Sequence, residues 1–226
     1  MSAPLYRPVG ETALMVEFGD VIDAAIHARV LALDAALASA PFPGFCEAVP
    51  AYASLMVRFD PIVTDHAAAI AALDGLLTHP SAAARGTPAL REVAVCYDGD
   101  LGPDLAVIAK ATGMSVESVI ATHLAGDYSV FLYGFAPGYA YMAGVPEGLR
   151  LSRKPAAVRD VPGGSVIIAG PQCLVTTMTM PTGWWRLGRS PTAILTGDEA
   201  RPFLFDVGDH VRFRRITLDE YHGGRG

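Results

Sequence analysis

The residues best suited to chemistry lie between His123 and Arg189, where glycine and proline are dense and aromatic and basic side chains alternate. This stretch contains 133-YGFAPGYAYMAGVP-146, 152-SRKPAAVRDVPGGSVIIAGPQ-172 and 181-PTGWWRLGRSP-191. Glycine lets the backbone approach a ligand closely, and proline fixes the shape of a loop. Arginines among aromatic rings suit an anionic or planar ligand. The pattern predicts a preorganised pocket built from loops, and the alternative is a set of ordinary barrel turns with aromatic residues in the core.

Two arginines and a glycine-rich turn in this stretch are candidates for binding an anion. Arg153 and Arg159 flank a Pro-Ala-Ala turn, and a guanidinium can bind a carboxylate or a phosphate through two hydrogen bonds. The Gly-Gly-Ser sequence at 163–165 can offer backbone N–H groups to an anion. The alternative is that these arginines pair with acidic surface residues such as Asp160.

Aromatic and amide side chains in the same stretch can contact a planar amide. Tyr139 and Tyr141 are two residues apart in an extended segment, so they share one face and can stack on a planar ligand. The amide of Gln172 can pair with an amide substrate as both donor and acceptor. Trp184 and Trp185 point to opposite faces of one strand, so one belongs to the core and the other to the pocket or an interface. The alternatives are barrel-end plugs for the tyrosines and a surface position for Gln172.

His123 is the candidate for moving a proton, because it ends a short predicted helix just before Gly126. The negative end of the helix dipole favours the charged form of a histidine there. We predict a general acid or base at the mouth of the barrel, and the alternative is a histidine whose hydrogen bonds are satisfied at the helix end. Cys173 is rejected as a nucleophile, since apolar neighbours raise the pKa of a thiol.

The first half of the chain alternates strand and helix patterns. Residues 81–90, which follow, are small and rich in turn formers, and this composition predicts a linker. The predicted elements are a strand at 12–18, a helix at 23–38 capped by Asp20 or Asp23, a strand at 46–50, a strand at 51–59, a helix at 64–79 and a strand at 92–97. The pattern predicts a small α+β domain of ferredoxin-like type over residues 1–88.

The second half, residues 89–226, predicts an all-β domain preceded by two short helices. The helices run from Pro103 to Thr112 and from Ser115, a good N-cap, to Leu124. From residue 128 onward, short apolar runs are separated by glycine and proline, which is typical of a β-barrel or a sandwich.

Composition excludes several classes of protein. The chain has 226 residues and a formal net charge of −6, which argues against a phosphate-binding basic surface and so against nucleic acid as a partner. Hydrophobic residues make up 51%, but no uncharged run approaches the roughly 18 residues of a membrane span. No secretion signal is recognisable, and the three cysteines and the histidines show no disulfide or metal spacing. These features predict a cytoplasmic protein without a metal site.

Three blocks occur here in the order known from one family: GFAPGYAYM, then SRKP with VRDVPGGSVIIAGPQ, then PTGWWRLGRSP. They resemble the KipI / allophanate hydrolase subunit 1 family, which includes the B subunit of 5-oxoprolinase. The segments GETALMVEFGD, VPAYASLMVRFDP and GPDLAVIAKATGMS fit the same family, so the resemblance covers nearly the whole chain. It implies an α+β N-terminal domain and a cyclophilin-like β-barrel.

The resemblance also implies a function in a complex. It indicates the B subunit of a heteromeric, ATP-dependent 5-oxoprolinase that converts 5-oxoproline to glutamate and is active only with its partners. The expected partners are a 5-oxoprolinase C subunit, homologous to allophanate hydrolase subunit 2, and an A subunit of LamB/YcsF type. ATP, with or without magnesium, is expected in the complex, and neither a metal nor biotin on this chain. The alternatives are a carboxyltransferase-type subunit of a biotin-dependent urea carboxylase system, and a KipI-like histidine kinase inhibitor.

Residue chemistry and resemblance together give one set of candidate site residues. The resemblance matches His123 to a histidine of the family. The predicted catalytic residues are His123, Arg159 and Gln172. The predicted substrate-binding residues are Phe135, Pro137, Gly138, Tyr139, Tyr141, Arg153, Gly164, Ser165, Trp184 and Arg189. The sequence departs from the family where a tyrosine is missing after Gln172, and where Trp185 replaces a more polar residue.

Overall fold

The computed structural model describes residues 3–78 and 88–224, and the chain divides into two compact units, Met1–Thr87 and Pro88–Gly226. Most of the predicted linker at 81–90, and the end of the predicted helix at 64–79, lie outside the described residues. Each unit is described by itself below.

The first unit is an antiparallel sheet with two helices. Its elements are β1 (Leu5–Val9), β2 (Ala13–Glu17), α1 (Ala24–Ser39), β3 (Phe45–Pro50), β4 (Ser54–Phe59) and α2 (His66–Thr78). The strand order is β1-β2-β4-β3. Alternate strand residues such as Leu14, Val16, Leu55 and Val57 are fully buried in one core with Leu33 and Leu37 of α1.

The α+β character of this unit follows the sequence pattern, but the ferredoxin-like fold is not confirmed. Asp23 caps α1 by accepting a hydrogen bond from the N–H of Ile26 at 2.9 Å. A ferredoxin-like domain has the order βαββαβ, whereas the observed order is ββαββα. The edge strand comes from Leu5–Val9, a segment with too little burial to show an alternating pattern. The predicted strand at 92–97 does not join this sheet.

The second unit is mostly β. Its elements are β5 (Leu90–Val95), α3 (Leu105–Thr112), α4 (Val116–Leu124), β6 (Tyr128–Tyr133), β7 (Ala140–Ala143), β8 (Val158–Val161), β9 (Ser165–Ala169), β10 (Gln172–Val175), β11 (Met180–Thr182), β12 (Trp185–Arg189), β13 (His210–Arg215) and α5 (Leu218–Gly223). Seven strands form one sheet in the order β12-β9-β10-β7-β6-β13-β5, and β8 pairs with β11.

Backbone pairing between the two edge strands nearly closes the seven-stranded sheet into a barrel. Cys96, directly after β5, donates to the carbonyl of Arg189 at 2.9 Å and accepts from its N–H at 2.8 Å. Gly188 permits this approach, because a Cβ there would lie 2.7 Å from the carbonyl oxygen of Cys96. The predicted β-rich second half is therefore present as a barrel-like sheet.

The sheet buries one face inside the barrel and covers the other with loops. Along β9, Val166 and Ile168 point into the barrel core, while Ile167 joins a second cluster with Leu174 of β10. This alternation follows from the two-residue period of a strand. Trp184 belongs to the second, outer cluster, so the loops that carry the chemistry rest on a rigid apolar floor.

Within residues 3–78 and 88–224, no single helix is long and apolar enough to span a membrane. Only the pair α3 and α4 reaches that length and composition jointly, with a 92° bend between the helices. The same residues contain no group of three histidine, cysteine, aspartate or glutamate side chains that could hold a metal ion.

Candidate functional site

A cavity of about 240 Å³ lies on the outer face of the barrel sheet. Its lining comprises Phe135, Tyr139, Tyr141, Arg153, Ile167, Leu174, Pro181, Thr182, Gly183 and Trp184. The floor comes from three neighbouring strands, β9, β10 and β7, and the walls come from the three loop-rich blocks. Those blocks, far apart in sequence, therefore meet at one site, which we call the aromatic cavity.

The loop between β6 and β7 forms one wall and has a defined shape. The N–H of Gly134 donates to the carbonyl of Tyr139 at 3.2 Å, and the N–H of Tyr139 donates to the carbonyl of Ala136 at 3.1 Å. Gly138 has φ +73°, and a Cβ there would lie 2.9 Å from Cγ2 of Thr177. The hydroxyl of Thr177 donates to the carbonyl of Pro137 at 2.6 Å. Pro137 and Gly138, predicted to contact substrate, instead shape the wall.

Phe135 lies at the rim of the aromatic cavity in an unfavourable backbone conformation. Its φ is 70°, in the left-handed region that costs a non-glycine residue about 1–2 kcal/mol. The side chain is 74% exposed, and its ring centroid lies 5.7 Å from that of Tyr139 in an edge-on contact. A strained backbone that displays an apolar ring to solvent indicates a function for that ring.

Arg153 supplies the charge in the lining of the aromatic cavity. Its guanidinium carbon lies 5.7 Å from the centroid of the Trp184 ring, within range of a cation–π contact. In the described part of the chain no carboxylate lies within 4.0 Å of this guanidinium. The cation therefore remains available to an anionic ligand.

The tyrosines of the lining offer neutral hydrogen-bond donors. Burial raises the pKa of Tyr139 and of Tyr141, and the charge of Arg153 partly offsets the rise at Tyr141. Both hydroxyls therefore stay protonated at neutral pH. The ring of Tyr141 packs edge-on against that of Trp184, with centroids 5.9 Å apart. A cation, two phenols and flat apolar walls suit a small planar molecule that carries a carboxylate.

His123 does not line the aromatic cavity, and the predicted charged form is wrong. The side chain is fully buried in the barrel core, where Nδ1 lies 2.8 Å from the hydroxyl of Tyr97 and Nε2 has no hydrogen-bond partner among the residues that the structure describes. Burial lowers its pKa from 6.5 to about 3, which outweighs the helix dipole. The structure therefore gives His123 no access to a substrate. Val119, four residues earlier, is also buried, so helical spacing already placed His123 on the buried face.

The remaining predicted residues lie away from the aromatic cavity. Arg159 is exposed on β8, next to Asp160, whose φ is 53°. Gln172 begins β10 and pairs with Ala169 and Ala143. Neither Arg159 nor Gln172 belongs to the lining, and their predicted catalytic roles stay predictions.

The glycine-rich turn at 163–165 does not form the expected anion nest. The N–H of Gly164 already donates to the carbonyl of Thr176 at 2.6 Å. The N–H of Ser165 donates to the hydroxyl of Thr176 at 2.9 Å, and the Ser165 hydroxyl to the carbonyl of Pro162 at 2.8 Å. Arg189 donates to the carbonyl of Gly163 at 3.1 Å. These residues shape a turn, and the backbone donors of Gly164 and Ser165 are already in use.

A second cavity, also of about 240 Å³, borders this turn. Its polar lining includes Thr176, Thr177, Ser190 and Thr192. The hydroxyls of Ser190 and Thr192 accept from the N–H groups of Thr192 and Ala94 at 3.0 and 3.2 Å. The lining of this second cavity contains no charged side chain, so it offers an anionic ligand less than the aromatic cavity does.

Sequence reasoning missed the residues that complete the aromatic cavity. Ile167 and Leu174 form its floor, and Pro181, Thr182 and Gly183 form an edge. The signal for the floor was the uninterrupted apolar run of β9, which is typical of a strand buried on both faces.

Comparison with known proteins gives three findings. A family model described as Carboxyltransferase domain, subdomain C and D matches residues 4–205. The chain is 34% identical over 224 residues to the B subunit of 5-oxoprolinase from Bacillus subtilis (strain 168), covering 95% of this chain and 93% of that protein. The crystal structure of TTHA0988 superposes with a TM-score of 0.79 at 35% identity, covering 91% of this chain and 40% of that one. The chain thus spans less than half of TTHA0988.

The urea amidolyase of K. lactis shares the fold, with a TM-score of 0.79 at 16% identity, covering 97% of this chain and 15% of that one. At this identity the likeness concerns fold alone. These findings confirm the family resemblance that the three sequence blocks indicated.

Proposed function

Because this chain belongs to the carboxyltransferase domain family, subdomain C and D, and is 34% identical to a 5-oxoprolinase B subunit, we propose that it is the B subunit of an ATP-dependent 5-oxoprolinase. The identity extends over 93% of that relative, so the comparison concerns nearly the whole protein. The enzyme would open the lactam ring of 5-oxoproline to give glutamate, with the chain active only in complex with other subunits.

The observation that carries this proposal is the guanidinium of Arg153 in the aromatic cavity, which makes a cation–π contact and no ion pair within residues 3–78 and 88–224. The substrate, 5-oxoproline, is a five-membered lactam with one carboxylate. The carboxylate would bind Arg153 through charge-assisted hydrogen bonds, and the flat ring would lie among Tyr139, Tyr141 and Trp184. A volume of about 240 Å³ is sufficient for a molecule of this size.

The two tyrosines give the cavity a means to activate the lactam. As neutral phenols, Tyr139 and Tyr141 can donate a hydrogen bond to the amide carbonyl oxygen, which draws electron density from the carbonyl carbon and favours attack there. Water then adds across the C–N bond, the ring nitrogen leaves as an amine, and ATP hydrolysis drives the reaction. No proton transfer is assigned to His123, because its ring lies in the barrel core.

The proposal also concerns where ATP binds and which proteins form the complex. The N–H groups of Gly164 and Ser165 already donate within the chain, which supports binding of ATP, with or without magnesium, by other members of the complex. The partners proposed are a homologue of the 5-oxoprolinase C subunit and a LamB/YcsF-type protein. The barrel-like sheet, closed by Cys96 and Arg189, supports a cyclophilin-like assignment for the second unit.

A second candidate follows from the name of the matched family and from the fold shared with urea amidolyase. In this alternative the aromatic cavity holds a urea-like amide, and a carboxybiotin carrier donates CO2 to its nitrogen. A neutral urea does not use the charge of Arg153, so the unpaired guanidinium favours the anionic lactam.

The test is reconstitution. The chain is combined with the purified C-subunit homologue and the LamB/YcsF-type protein from the same genome. ATP hydrolysis is measured with and without 5-oxoproline, and transfer of the carboxyl group to urea is measured from a carrier whose biotin has been carboxylated beforehand. We expect ATP hydrolysis that requires both 5-oxoproline and this chain. Turnover only with urea and the carrier would establish the second candidate and refute the first. Turnover with neither substrate, together with binding to a histidine kinase, would favour the regulatory alternative.

A further inference from the structure

Arg153 is anchored through the backbone on both sides of it. The carbonyl of Ser152 accepts a hydrogen bond from the indole Nε1–H of Trp185 at 2.7 Å. The N–H of Lys154 donates to the carbonyl of Gly183 at 2.7 Å. The chain on either side of Arg153 is therefore tied to the segment that carries the two tryptophans, while its guanidinium makes no ion pair in residues 3–78 and 88–224.

The side chain of Lys154, the next residue, connects this backbone segment to a nearly buried carboxylate. Its Nζ donates to Oδ2 of Asp104 at 2.6 Å, and the two side chains are only 10% and 14% exposed. The same carboxylate oxygen accepts a hydrogen bond from the backbone N–H of Arg186 at 2.7 Å. Asp104 immediately precedes α3, so one carboxylate joins the loop, strand β12 and the start of a helix.

Two adjacent cations thus face two adjacent tryptophans. The guanidinium carbon of Arg153 lies 5.7 Å from the Trp184 ring centroid, and Nζ of Lys154 lies 5.2 Å from that of Trp185. Trp184 belongs to the outer cluster of the sheet, whereas Trp185 packs against the barrel core, so the two cations lie on opposite sides. The ion pair that holds Lys154 on the inner side therefore holds Arg153 on the side of the aromatic cavity.

We propose that Asp104, Lys154 and Trp185 form a clamp that positions Arg153 for the carboxylate of the substrate. The inference rests on the proposed function and deepens it, because it explains how this site selects an anionic lactam over a neutral one. The clamp residues do not line the aromatic cavity and act only through Arg153, so they are positioning residues.

The test measures selectivity for a carboxylate. The full chain is titrated with L-5-oxoproline and with its neutral carboxamide, and binding is followed by the emission of the chain's two tryptophans, Trp184 and Trp185. The variants are Lys154→Met, the double variant Asp104→Asn with Lys154→Met, Arg153→Met, and Arg212→Met as an exposed control on β13. The double variant removes both members of the nearly buried pair but also takes the carboxylate away from Nε of Arg186, 4.0 Å from it, whereas Lys154→Met keeps that contact, so the two clamp variants are read together with their melting temperatures.

In the wild type we expect the carboxylate to bind about 10- to 100-fold more tightly than the carboxamide, since a hydrogen bond to a charged group contributes about 1.5–3 kcal/mol. Arg153→Met should abolish this ratio, and Arg212→Met should preserve it. Both clamp variants should lower it about three- to tenfold, and adding Lys154→Met to Arg153→Met should lower it no further.

Each other outcome refutes either the clamp alone or the clamp together with the proposed use of Arg153. If Arg153→Met abolishes the ratio but both clamp variants keep the wild-type ratio, the clamp is refuted and the proposed function stands. If the clamp variants bind both probes more weakly by one common factor, their role is structural only, and the clamp is again refuted. If the wild-type chain binds neither probe, or does not distinguish them, the proposed use of Arg153 fails and the clamp fails with it.

Discussion

The guanidinium carbon of Arg153 lies 5.7 Å from the centroid of the Trp184 ring. Trp184 is almost fully buried in the outer apolar cluster of the barrel sheet, so a rigid platform supports a long, flexible side chain. Because the guanidinium is held by an aromatic face and not by a carboxylate, its charge stays available to a ligand. The affinity of the aromatic cavity for 5-oxoproline should therefore depend on both Arg153 and Trp184.

Replacing Trp184 by phenylalanine should weaken substrate binding while the fold is retained. Phenylalanine keeps an apolar ring in the cluster but is a poorer partner for a cation, and a partly exposed cation–π contact is worth about 0.5–1 kcal/mol. We expect KM for 5-oxoproline in the reconstituted complex to rise about two- to fivefold. The melting temperature should fall by a few degrees, because the smaller ring leaves a gap in the cluster. An unchanged KM would show that the Trp184 platform contributes nothing to the site.

Phe135 offers a test that separates the effect of its backbone on stability from the effect of its ring on binding. Glycine adopts positive φ without penalty, so Phe135→Gly should be about 1 kcal/mol more stable than the matched Phe135→Ala, which keeps the strain. Both variants lose the rim ring and should show weaker binding than the wild type. Urea unfolding and substrate titration of the two variants measure the two effects. If both bind as tightly as the wild type, the exposed ring has no role in the site.

Several helices and part of the aromatic cavity could be predicted from the sequence. Which candidate residues are exposed to a ligand could not be predicted. The helices near residues 24–39 and 116–124 follow from apolar spacing and from the caps Asp23 and Ser115, which are local features. The convergence of Tyr139, Arg153 and Trp184 was foreseeable because their blocks combine rings and cations in loops of restricted shape. The clamp was not foreseeable, since it depends on an ion pair between residues 50 positions apart.

His123 shows why the sequence did not reveal the burial of a predicted catalytic residue. A histidine at a helix end is expected to be exposed. The ring of His123 instead packs against that of Phe213 in β13, much later in the chain, with ring centroids 4.6 Å apart. Likewise, β1 went unpredicted because an edge strand gains its place from pairing with β2 and not from its own pattern. Long-range packing decides both cases, and a single sequence does not display it.

The buried His123 should make the second unit sensitive to mild acid. Its pKa is lowered from 6.5 to about 3, so below pH 6.5 the unfolded chain binds a proton that the folded chain does not. Stability is therefore fully present above pH 6.5 and falls by about 1.4 kcal/mol per pH unit as the pH drops toward the folded pKa. Urea unfolding followed by tryptophan emission between pH 7 and 5 measures this loss.

The variant His123→Asn serves as the comparison for that pH series. Asparagine does not titrate and can still accept from the hydroxyl of Tyr97, so the slope below pH 6.5 should become shallower by about 1.4 kcal/mol per pH unit, although overall stability falls. Parallel slopes for wild type and variant would contradict burial of a neutral His123.

Closure of the barrel should depend on Gly188. A Cβ added there would lie 2.7 Å both from the carbonyl oxygen of Cys96 and from Cγ1 of Val95. Gly188→Ala should therefore destabilise the second unit by about 1–3 kcal/mol, as overpacking does. The control is Gly223→Ala at the end of α5, where a Cβ meets no atom within 4 Å. Equal stabilities of the two variants in urea would contradict closure by the pair Cys96 and Arg189.

The most direct test of the whole account is KM for 5-oxoproline in the reconstituted complex that carries Arg153→Met, compared with Arg159→Met and Arg212→Met. We expect Arg153→Met to raise KM about 10- to 100-fold, because the carboxylate loses its charged partner. Arg212→Met should match the wild type, since Arg212 does not line the aromatic cavity, and Arg159→Met tests separately the predicted catalytic role of Arg159. If Arg153→Met is indistinguishable from Arg212→Met, the aromatic cavity is not the place where the carboxylate binds.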